Sequence, residues 1–145
     1  MRLVLQRVKS AQVEVTGEVI GSIGKGLLVL VGIGKADNSE IINWLANKTI
    51  DLRIFEDEHQ KMNLGLRDIK GEILLVSQFT LYADCHKGRC PGFDQAARPE
   101  IAEAQFAEFV QAVNRLGFNA QTGRFGANMK VSLINDGPVT IILEK

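Results

Sequence analysis

The sequence contains few of the residues from which metal sites and disulfide frameworks are built. Its 145 residues include two histidines, His59 and His86, and two cysteines, Cys85 and Cys90. A tetrahedral zinc site would need carboxylates in addition to these side chains. The CHKGRC loop that carries both cysteines leaves metal binding and a small disulfide open, although two free thiols in a reducing compartment are the favoured interpretation. Nothing in the sequence requires a metal.

Neither histidine lies in a sequence motif typical of a catalytic histidine. His59 lies in the polar EDEHQK turn and His86 in a charged loop, and no GxSxG elbow is present. A Cys85–His86 dyad is difficult to build from sequence neighbours, because activation needs side chains that converge in space. We therefore expect both histidines to be solvated loop residues.

Long apolar runs are also absent. The longest, residues 27–31 with the flanking glycines, is far too short to cross a bilayer. The opening segment, MRLVLQRVKSAQV, alternates like a strand and has no small-residue cleavage site. We therefore expect a cytoplasmic protein with no membrane partner.

Neither sign of charge is in excess, since 17 basic residues balance 17 acidic ones. This balance argues against a general nucleic-acid binder, whose affinity comes from neutralising many phosphates, and leaves room for a local basic patch. Hydrophobic residues at 46% and charged residues at 23% are typical of a globular protein rather than a disordered or coiled-coil one. We expect residues 1–145 to form one domain.

The order of apolar patterns predicts a β-rich chain. Alternating valines around Thr16-Gly17 predict a short hairpin, and GLLVLVGIG is typical of a strand buried on both faces. GEILLVSQ begins as another buried strand, and NMKVSLI and VTIILE predict two more at the end of the chain. The fold class is α/β in the α+β sense, with barrel-like mixed or antiparallel sheets and two main helices packed outside.

Both helices are predicted from their ends and their apolar spacing. The first begins at a capping box of Asp37 and Glu40, and the second begins near Pro99 and ends before Gly117. The positions at helical spacing are Ile41, Trp44, Leu45 and Lys48 in the first helix and Ala102, Phe106, Phe109, Val113 and Leu116 in the second.

The GIGKADNSE segment has the layout of a dinucleotide-binding turn, with a strand, Gly32-x-Gly34 and a helix. The third glycine of that pattern falls at Asp37, where an acid at a helix N-terminus would repel a pyrophosphate. A tight strand-to-helix turn is the favoured explanation for the glycines.

Two further stretches are ambiguous when each is taken alone. SQFTLYAD places polar side chains at the end of an apolar strand, which indicates either a pocket or a strand that frays into a loop. NDGPVT places proline between two strand-like segments, which indicates either a plain turn or a cis Gly-Pro that projects two backbone carbonyls.

Together, SQFTLYAD and NDGPVT resemble the motifs of the D-aminoacyl-tRNA deacylases, in the bacterial and eukaryotic type built on a small β-rich domain. The resemblance extends over the chain, through LQRVKSAQVEV, GLLVLVGI, LRIFEDEHQKMNL and QTGRFGANMKVSL. It implies a single deacylase domain over residues 1–145. It also implies hydrolysis of the ester that joins a D-amino acid to the terminal adenosine of a tRNA, and removal of glycine from wrongly charged tRNA.

The resemblance further implies an active site shared between the two subunits of a homodimer. Gly137 and Pro138, joined by a cis peptide bond, would reach into the partner's pocket. Their rigid backbone carbonyls would hold the amino group and leave no room for an L side chain, whereas glycine would pass. The catalytic pocket itself is assigned to Ser77, Gln78, Phe79 and Thr80.

No cofactor is implied by the resemblance. Backbone N–H groups near Phe79 and Thr80 would bind the carbonyl oxygen, and a positioned water, assisted by the ribose hydroxyl, would attack the activated ester. Thr80 is the alternative nucleophile, ranked below water because the sequence offers no base to activate it. The implied partners are a second copy of the chain and the aminoacylated 3′ end of tRNA, with no other protein partner.

Three further positions match the family beside the pocket, namely Met129, Arg124 and Asn135. Core filling by Met129 and a structural ion pair of Arg124 are the alternatives. A basic rim able to meet the tRNA end would consist of Lys87, Arg89 and Arg98.

The chain departs from the family pattern in one loop. It has Cys90-Pro91-Gly92-Phe93 where an Arg-Pro-Ser/Asp-Phe sequence is expected. The lost arginine removes a phosphate contact or a loop anchor, and Gly92 loosens the loop. We expect activity to survive with an altered affinity for tRNA.

Two rival functions stay open from the sequence. One is an enzyme that acts on another small ester or amide bond, which the balanced charge favours. The other is a non-catalytic dimeric module that binds aminoacylated RNA or aminoacyl adenylates.

Overall fold

The computed structural model describes all residues from 1 to 145. The strands are β1 (Arg2–Val15), β2 (Glu18–Ile23), β3 (Gly26–Gly32), β4 (Phe55–Glu56), β5 (Met62–Leu64), β6 (Glu72–Ser77), β7 (Gln121–Thr122) and β8 (Lys130–Glu144). The helices are α1 (Ser39–Asp51) and α2 (Pro99–Arg115), and a 3₁₀ turn spans Phe79–Tyr82. Neither α1 nor α2 has the length and apolar composition of a membrane-spanning helix.

Six strands form one mixed sheet in the order β2-β1-β3-β6-β7, with β8 paired to β1. Strand β1 is antiparallel to β2, β3 and β8, whereas the β3–β6 and β6–β7 pairs are parallel. The first half of β1 pairs with β3, the second half with β2, and β8 runs along both halves. The sheet therefore curls towards a barrel, and the predicted fold class is confirmed.

The two predicted features of the first strands are confirmed. Thr16 and Gly17 both have positive φ angles, 53° and 88°, which two-residue hairpin turns require. Strand β3 is buried on both faces because it separates two apolar clusters. Leu27, Val29 and Val31 belong to the larger cluster, which includes the helices, and Leu28 belongs to the smaller one.

Helix α2 is as expected, but the predicted start of α1 is wrong. Asn38 is the N-cap of α1, and its side-chain oxygen accepts hydrogen bonds from the N–H groups of Glu40 and Ile41, both at 3.0 Å. Asp37 is instead held by other partners outside the helix, described below. Trp44 is 42% exposed rather than a core residue, and the buried face of α1 consists of Ile42, Leu45, Ala46, Thr49 and Ile50.

The segment around the Gly-Pro pair is not a turn between two strands. Strand β8 continues through it in one direction along β1, with Gln6 opposite Thr140 and Val8 opposite Asn135. The intervening residues 136–139, here called the Gly-Pro loop, therefore stand opposite Arg7 alone. The prediction of two separate strands is therefore wrong, as is the plain-turn alternative, because both segments pair with β1, which is one continuous strand.

Candidate active site

A mostly hydrophobic cavity of about 620 Å³ lies at the carboxyl ends of the parallel strands β3 and β6. Its walls come from these strand ends, from the start of α2 and from the segment before β8, which includes Phe125 and Met129. Ser77, Gln78 and Phe79 all line it. Crevices outside the carboxyl ends of parallel strands are common ligand sites, because several chain segments diverge there.

The SQFTLYAD segment is attached to the end of the β3–β6 ladder. The Gln78 N–H donates to the Val31 carbonyl at 2.8 Å, which extends the ladder by one bond before the chain enters the 3₁₀ turn. Close packing follows, since a Cβ atom at Gly32 would lie 2.9 Å from the Leu81 Cβ. A glycine at this point of β3 is therefore required by the turn that carries Phe79.

The second glycine of the GIG segment has the same explanation. A Cβ at Gly34 would lie 2.6 Å from the Tyr82 hydroxyl. The Gly34 N–H donates to the Asp37 carboxylate at 2.7 Å, and the Met1 amino group forms a buried ion pair with that carboxylate. Because Asp37 occupies the N–H group that a phosphate would need, the glycines serve close packing rather than a phosphate cradle.

Unpaired hydrogen-bond donors are expected at the start of the 3₁₀ turn. The first N–H groups of any helix lack partners within it, and the Gln78 side chain makes no capping bond to them. The Gln78 side-chain amide donates instead to the Thr80 hydroxyl oxygen. Phe79 lines the cavity, whereas Thr80 is exposed and does not line it, and no side chain caps the N–H group of either residue.

The cavity has no histidine that could act as a base. His59 is exposed next to Glu58, at 3.5 Å, and His86 is exposed in the loop after β6. Neither residue lines the cavity. No group of three or more histidine, cysteine or acidic side chains is arranged to hold a metal ion. The polar side chains that line the cavity next to β6 are the Ser77 hydroxyl and the Gln78 amide.

The loop that departs from the family pattern forms one wall of the cavity. Asp84 and Gly92 exchange two backbone hydrogen bonds of 2.8 Å each, and the next residue, Phe93, packs on Phe79 with ring centroids 5.0 Å apart. A Cβ at Gly92 would lie 4.0 Å from the Asp84 carbonyl oxygen, an ordinary van der Waals contact. Cys85 and Cys90 are free and exposed.

The three outlying candidates lie in different settings. Met129 lines the cavity and also packs against the smaller apolar cluster. Arg124 is exposed, forms no ion pair and does not line the cavity. Asn135 lies outside the cavity, beside the Gly-Pro loop.

Gly137 and Pro138 are exposed and do not line the cavity of their own chain. The peptide bond between them is cis, as the resemblance implies. Gly137 has a φ angle of 117°, which favours glycine, and a Cβ there would lie 2.6 Å from the Arg7 guanidinium.

Arg7 is a functional candidate that sequence reasoning missed. Its side chain is only 4% exposed and donates to the carbonyls of Asp136, at 3.0 Å, and Ile54, at 2.7 Å. It also lies 3.5 Å from the Glu56 carboxylate. The signal was present in LVLQRV, where a charged residue occupies an inward position of the alternating strand.

Tyr82 closes the 3₁₀ turn in a partly buried polar cluster. The Arg2 guanidinium lies 5.0 Å from the centre of its ring and donates to the Leu81 carbonyl at 2.5 Å. Burial of the hydroxyl, together with the nearby Asp37 carboxylate, raises the pKa of Tyr82 to about 12. The turn that carries Phe79 is therefore fixed at both ends.

Comparison with known proteins gives consistent matches over the whole chain. The family model for D-Tyr-tRNA(Tyr) deacylase matches residues 4–144. The D-aminoacyl-tRNA deacylase of Thermosipho africanus is 58% identical over 144 residues, which are 99% of this chain and 97% of the relative. That of Desulfatibacillum aliphaticivorans is 57% identical over 144 residues, 99% of either chain.

Solved structures agree with these matches. The c-Myc DNA Unwinding Element Binding Protein is 42% identical, with a TM-score of 0.94 over 100% of this chain and 99% of that one. A probable eukaryotic D-amino acid tRNA deacylase is 17% identical, with a TM-score of 0.86 over 98% and 97%, and shares the fold. The class of protein is therefore a hydrolase. The chain belongs to the D-Tyr-tRNA(Tyr) deacylase family.

Titration of Tyr82 tests the described packing of the turn. Tyr82 is the only tyrosine, so the ultraviolet absorbance of tyrosinate reports it alone. Because the folded-state pKa of about 12 lies above the ordinary 10.0, its contribution to stability is complete below pH 10.0 and is lost as the pH approaches 12. We expect a midpoint near 12 in the folded protein and near 10.0 in urea. A folded-state midpoint near 10.0 would contradict the burial, and Tyr82→Phe supplies the blank.

Proposed function

We propose that the protein is a D-aminoacyl-tRNA deacylase that hydrolyses the ester between a D-amino acid and the terminal adenosine of tRNA. The observation that carries this proposal is the family match over residues 4–144, combined with a cavity lined by Ser77, Gln78 and Phe79. Glycine wrongly attached to tRNA is a second substrate in this proposal. The protein acts in the cytoplasm, where charged tRNA is used.

The acyl carbonyl binds at the N–H groups of Phe79 and Thr80. These donors belong to the backbone and do not reorganise during the reaction, which is the condition for effective stabilisation of an oxyanion. A water oxygen attacks the carbonyl carbon and gives a tetrahedral intermediate. The bond to the ribose oxygen then breaks, and that oxygen receives a proton originating from the water, so that free amino acid and tRNA are released.

Selection against L-amino acids is assigned to the Gly-Pro loop of a second subunit. The loop is exposed and does not line its own cavity, so it can meet a substrate only in another copy of the chain. Backbone carbonyls of Gly137 and Pro138 hold the amino group and exclude an L side chain. Glycine has no side chain to exclude, so the same filter accepts it.

A homodimer places each loop in the other subunit's cavity. A two-fold interface uses the same patch on both copies, and large exposed apolar side chains are typical of such patches. On β8, Leu133 and Ile134 are 39% and 57% exposed near the loop, and Phe79 beside the cavity is 58% exposed. These residues support a dimer that joins the β8 face of one subunit to the cavity of the other.

The remaining sequence candidates have peripheral roles in this proposal. Met129, on the cavity wall, contacts the substrate. Asn135 supports the loop, and Arg124 lies on the outer rim. Lys87, Arg89 and Arg98 are exposed on the loop next to the cavity and meet tRNA phosphates there.

Parallel assays with D-tyrosyl-tRNA and L-tyrosyl-tRNA test the proposed function. We expect fast loss of the D ester alone, unchanged by a chelator, because the described donors are backbone groups. Loss of both esters would contradict the chiral filter. If neither ester is lost but charged tRNA binds tightly, the binding module is favoured. If there is neither ester loss nor binding of charged tRNA, an enzyme acting on another ester or amide is favoured.

Replacement of Thr80 distinguishes attack by water from attack by the hydroxyl. We expect Thr80→Ala to keep kcat/KM within about tenfold of the wild type, because the Thr80 hydroxyl bonds only to the Gln78 amide and has no base. A lost nucleophile would instead lower the rate by about 10³-fold or more. Thr80→Ser keeps the hydroxyl and is the matched control. Water attack would be contradicted if Thr80→Ala hydrolysed the ester only at the uncatalysed rate while Thr80→Ser stayed active.

Mixed dimers test whether the loop acts across subunits. One variant, Gly137→Ala, disturbs the loop because it places a side chain on a residue with a φ of 117°. The other, Ala127→Trp, fills the cavity. If the loop serves the partner, unfolding and refolding the two inactive variants together restores one intact site in each heterodimer. With random pairing, this gives about a quarter of the wild-type activity.

The control for this experiment is a chain with both substitutions, mixed with wild type. Its heterodimers have no intact site, so activity should come from wild-type dimers alone. Absence of rescue in the first mixture, with heterodimers demonstrated by mass spectrometry, would contradict a loop that acts across subunits.

A further inference from the structure

The Gly-Pro loop, residues 136–139, lies between Asn135 and Thr140 of β8. Asn135 and Thr140 form the neck of the loop, and both side chains take part in hydrogen bonds. The Asn135 side-chain oxygen accepts the Val139 N–H at 3.0 Å, which closes the neck from within β8. A short polar bridge therefore closes the loop, in addition to the pairing of Asn135 and Thr140 with β1.

Gln6, on the neighbouring strand β1, joins both sides of this neck through one atom. Its side-chain oxygen accepts a hydrogen bond from the Asn135 side-chain amide and another from the Thr140 hydroxyl, at 2.6 Å. Gln6 is also the β1 partner of Thr140 in the strand register. One carboxamide on a central strand thus holds the residues before and after the loop.

Gln6 and Arg7 hold different parts of the same loop. Arg7 donates to the backbone carbonyl of Asp136, inside the loop, whereas Gln6 bonds side chains at its neck. Strand β1 is paired on both edges in this region, with β3 and β8, so it is a rigid support. The direction in which Gly137 and Pro138 project is therefore set from two adjacent residues of β1.

We propose that Gln6 is a positioning residue whose side-chain oxygen, through Asn135 and Thr140, fixes the direction of the Gly-Pro loop and thereby the discrimination between D and L esters. This inference rests on the proposed function for its effect on discrimination. Its effect on the loop itself does not depend on any substrate.

Gln6→Leu and Gln6→Glu form a matched pair for the test. Leucine removes the acceptor oxygen, and glutamate keeps an oxygen that accepts from the Asn135 amide and the Thr140 hydroxyl. Thr140→Val and Thr140→Ser form a second pair from the other side of the bridge, since valine removes the hydroxyl and serine keeps it. Thermal unfolding of all four variants checks that each is folded.

The first measurement is hydrogen exchange of the Val139 amide, which needs no substrate. We expect Gln6→Leu and Thr140→Val to accelerate this exchange about fivefold to tenfold, the factor that corresponds to one net hydrogen bond of about 1 kcal/mol. Gln6→Glu and Thr140→Ser should exchange like the wild type. Unchanged exchange in Gln6→Leu, or equal acceleration in both members of a pair, would overturn the proposal.

The second measurement is the ratio of kcat/KM for D-tyrosyl-tRNA to that for L-tyrosyl-tRNA. We expect this ratio to fall at least tenfold in Gln6→Leu and to be retained in Gln6→Glu. Faster Val139 exchange with an unchanged ratio would overturn the role in discrimination. If the wild type itself hydrolyses both esters or neither, the proposed function fails, and the exchange measurement alone decides whether Gln6 holds the loop.

Discussion

The buried guanidinium of Arg7 is the constraint on which the Gly-Pro loop, in the middle of β8, depends. A charged side chain that is 4% exposed must be paired, because an uncompensated buried charge costs several kcal/mol. Its partners are Asp136 at the start of the Gly-Pro loop, the Ile54 carbonyl and the Glu56 carboxylate. One side chain therefore joins β1, the segment around β4 and the loop. Loss of any one partner would leave the charge less well compensated and would loosen the other contacts.

The 3₁₀ turn of the candidate site is positioned largely by backbone geometry. The β3–β6 ladder ends at the cavity, and glycines at positions 32 and 34 let the 3₁₀ turn approach closely enough to pack on them. Asp37 and Arg2 fix the far end of the turn through Gly34 and the Leu81 carbonyl. A site of this kind is rigid before any substrate binds, which suits a reaction in which an oxyanion must be stabilised without a charged base.

Much of the secondary structure could be predicted from the sequence, because local patterns determine it. The hairpin at Thr16-Gly17, the doubly buried strand β3 and the cap at Gly117 follow from backbone conformations that few residues allow. The start of α1 was wrong by one residue, because Asp37 and Asn38 are both good caps and the choice between them depends on the distant partner of Asp37.

The contacts that hold the loop could not be predicted in the same way. NDGPVT lies about 130 residues along the chain from Gln6 and Arg7, and neither strand contains a pattern that specifies the register between them. Arg7 was visible as a charged residue at an inward position, but its partners were not. The continuity of β8 was missed for the same reason, since proline and glycine suggest a turn whenever the neighbouring strand is unknown.

The donors at the start of the 3₁₀ turn have a consequence for mutagenesis. A backbone N–H is the same group in every residue except proline, so replacing Phe79 or Thr80 by alanine leaves both donors in place. An alanine scan of this site would reveal side chains that pack and position, and would pass over the groups proposed to meet the carbonyl oxygen. Only a change in the backbone itself, such as an ester in place of one peptide bond, would make those two donors visible in a rate.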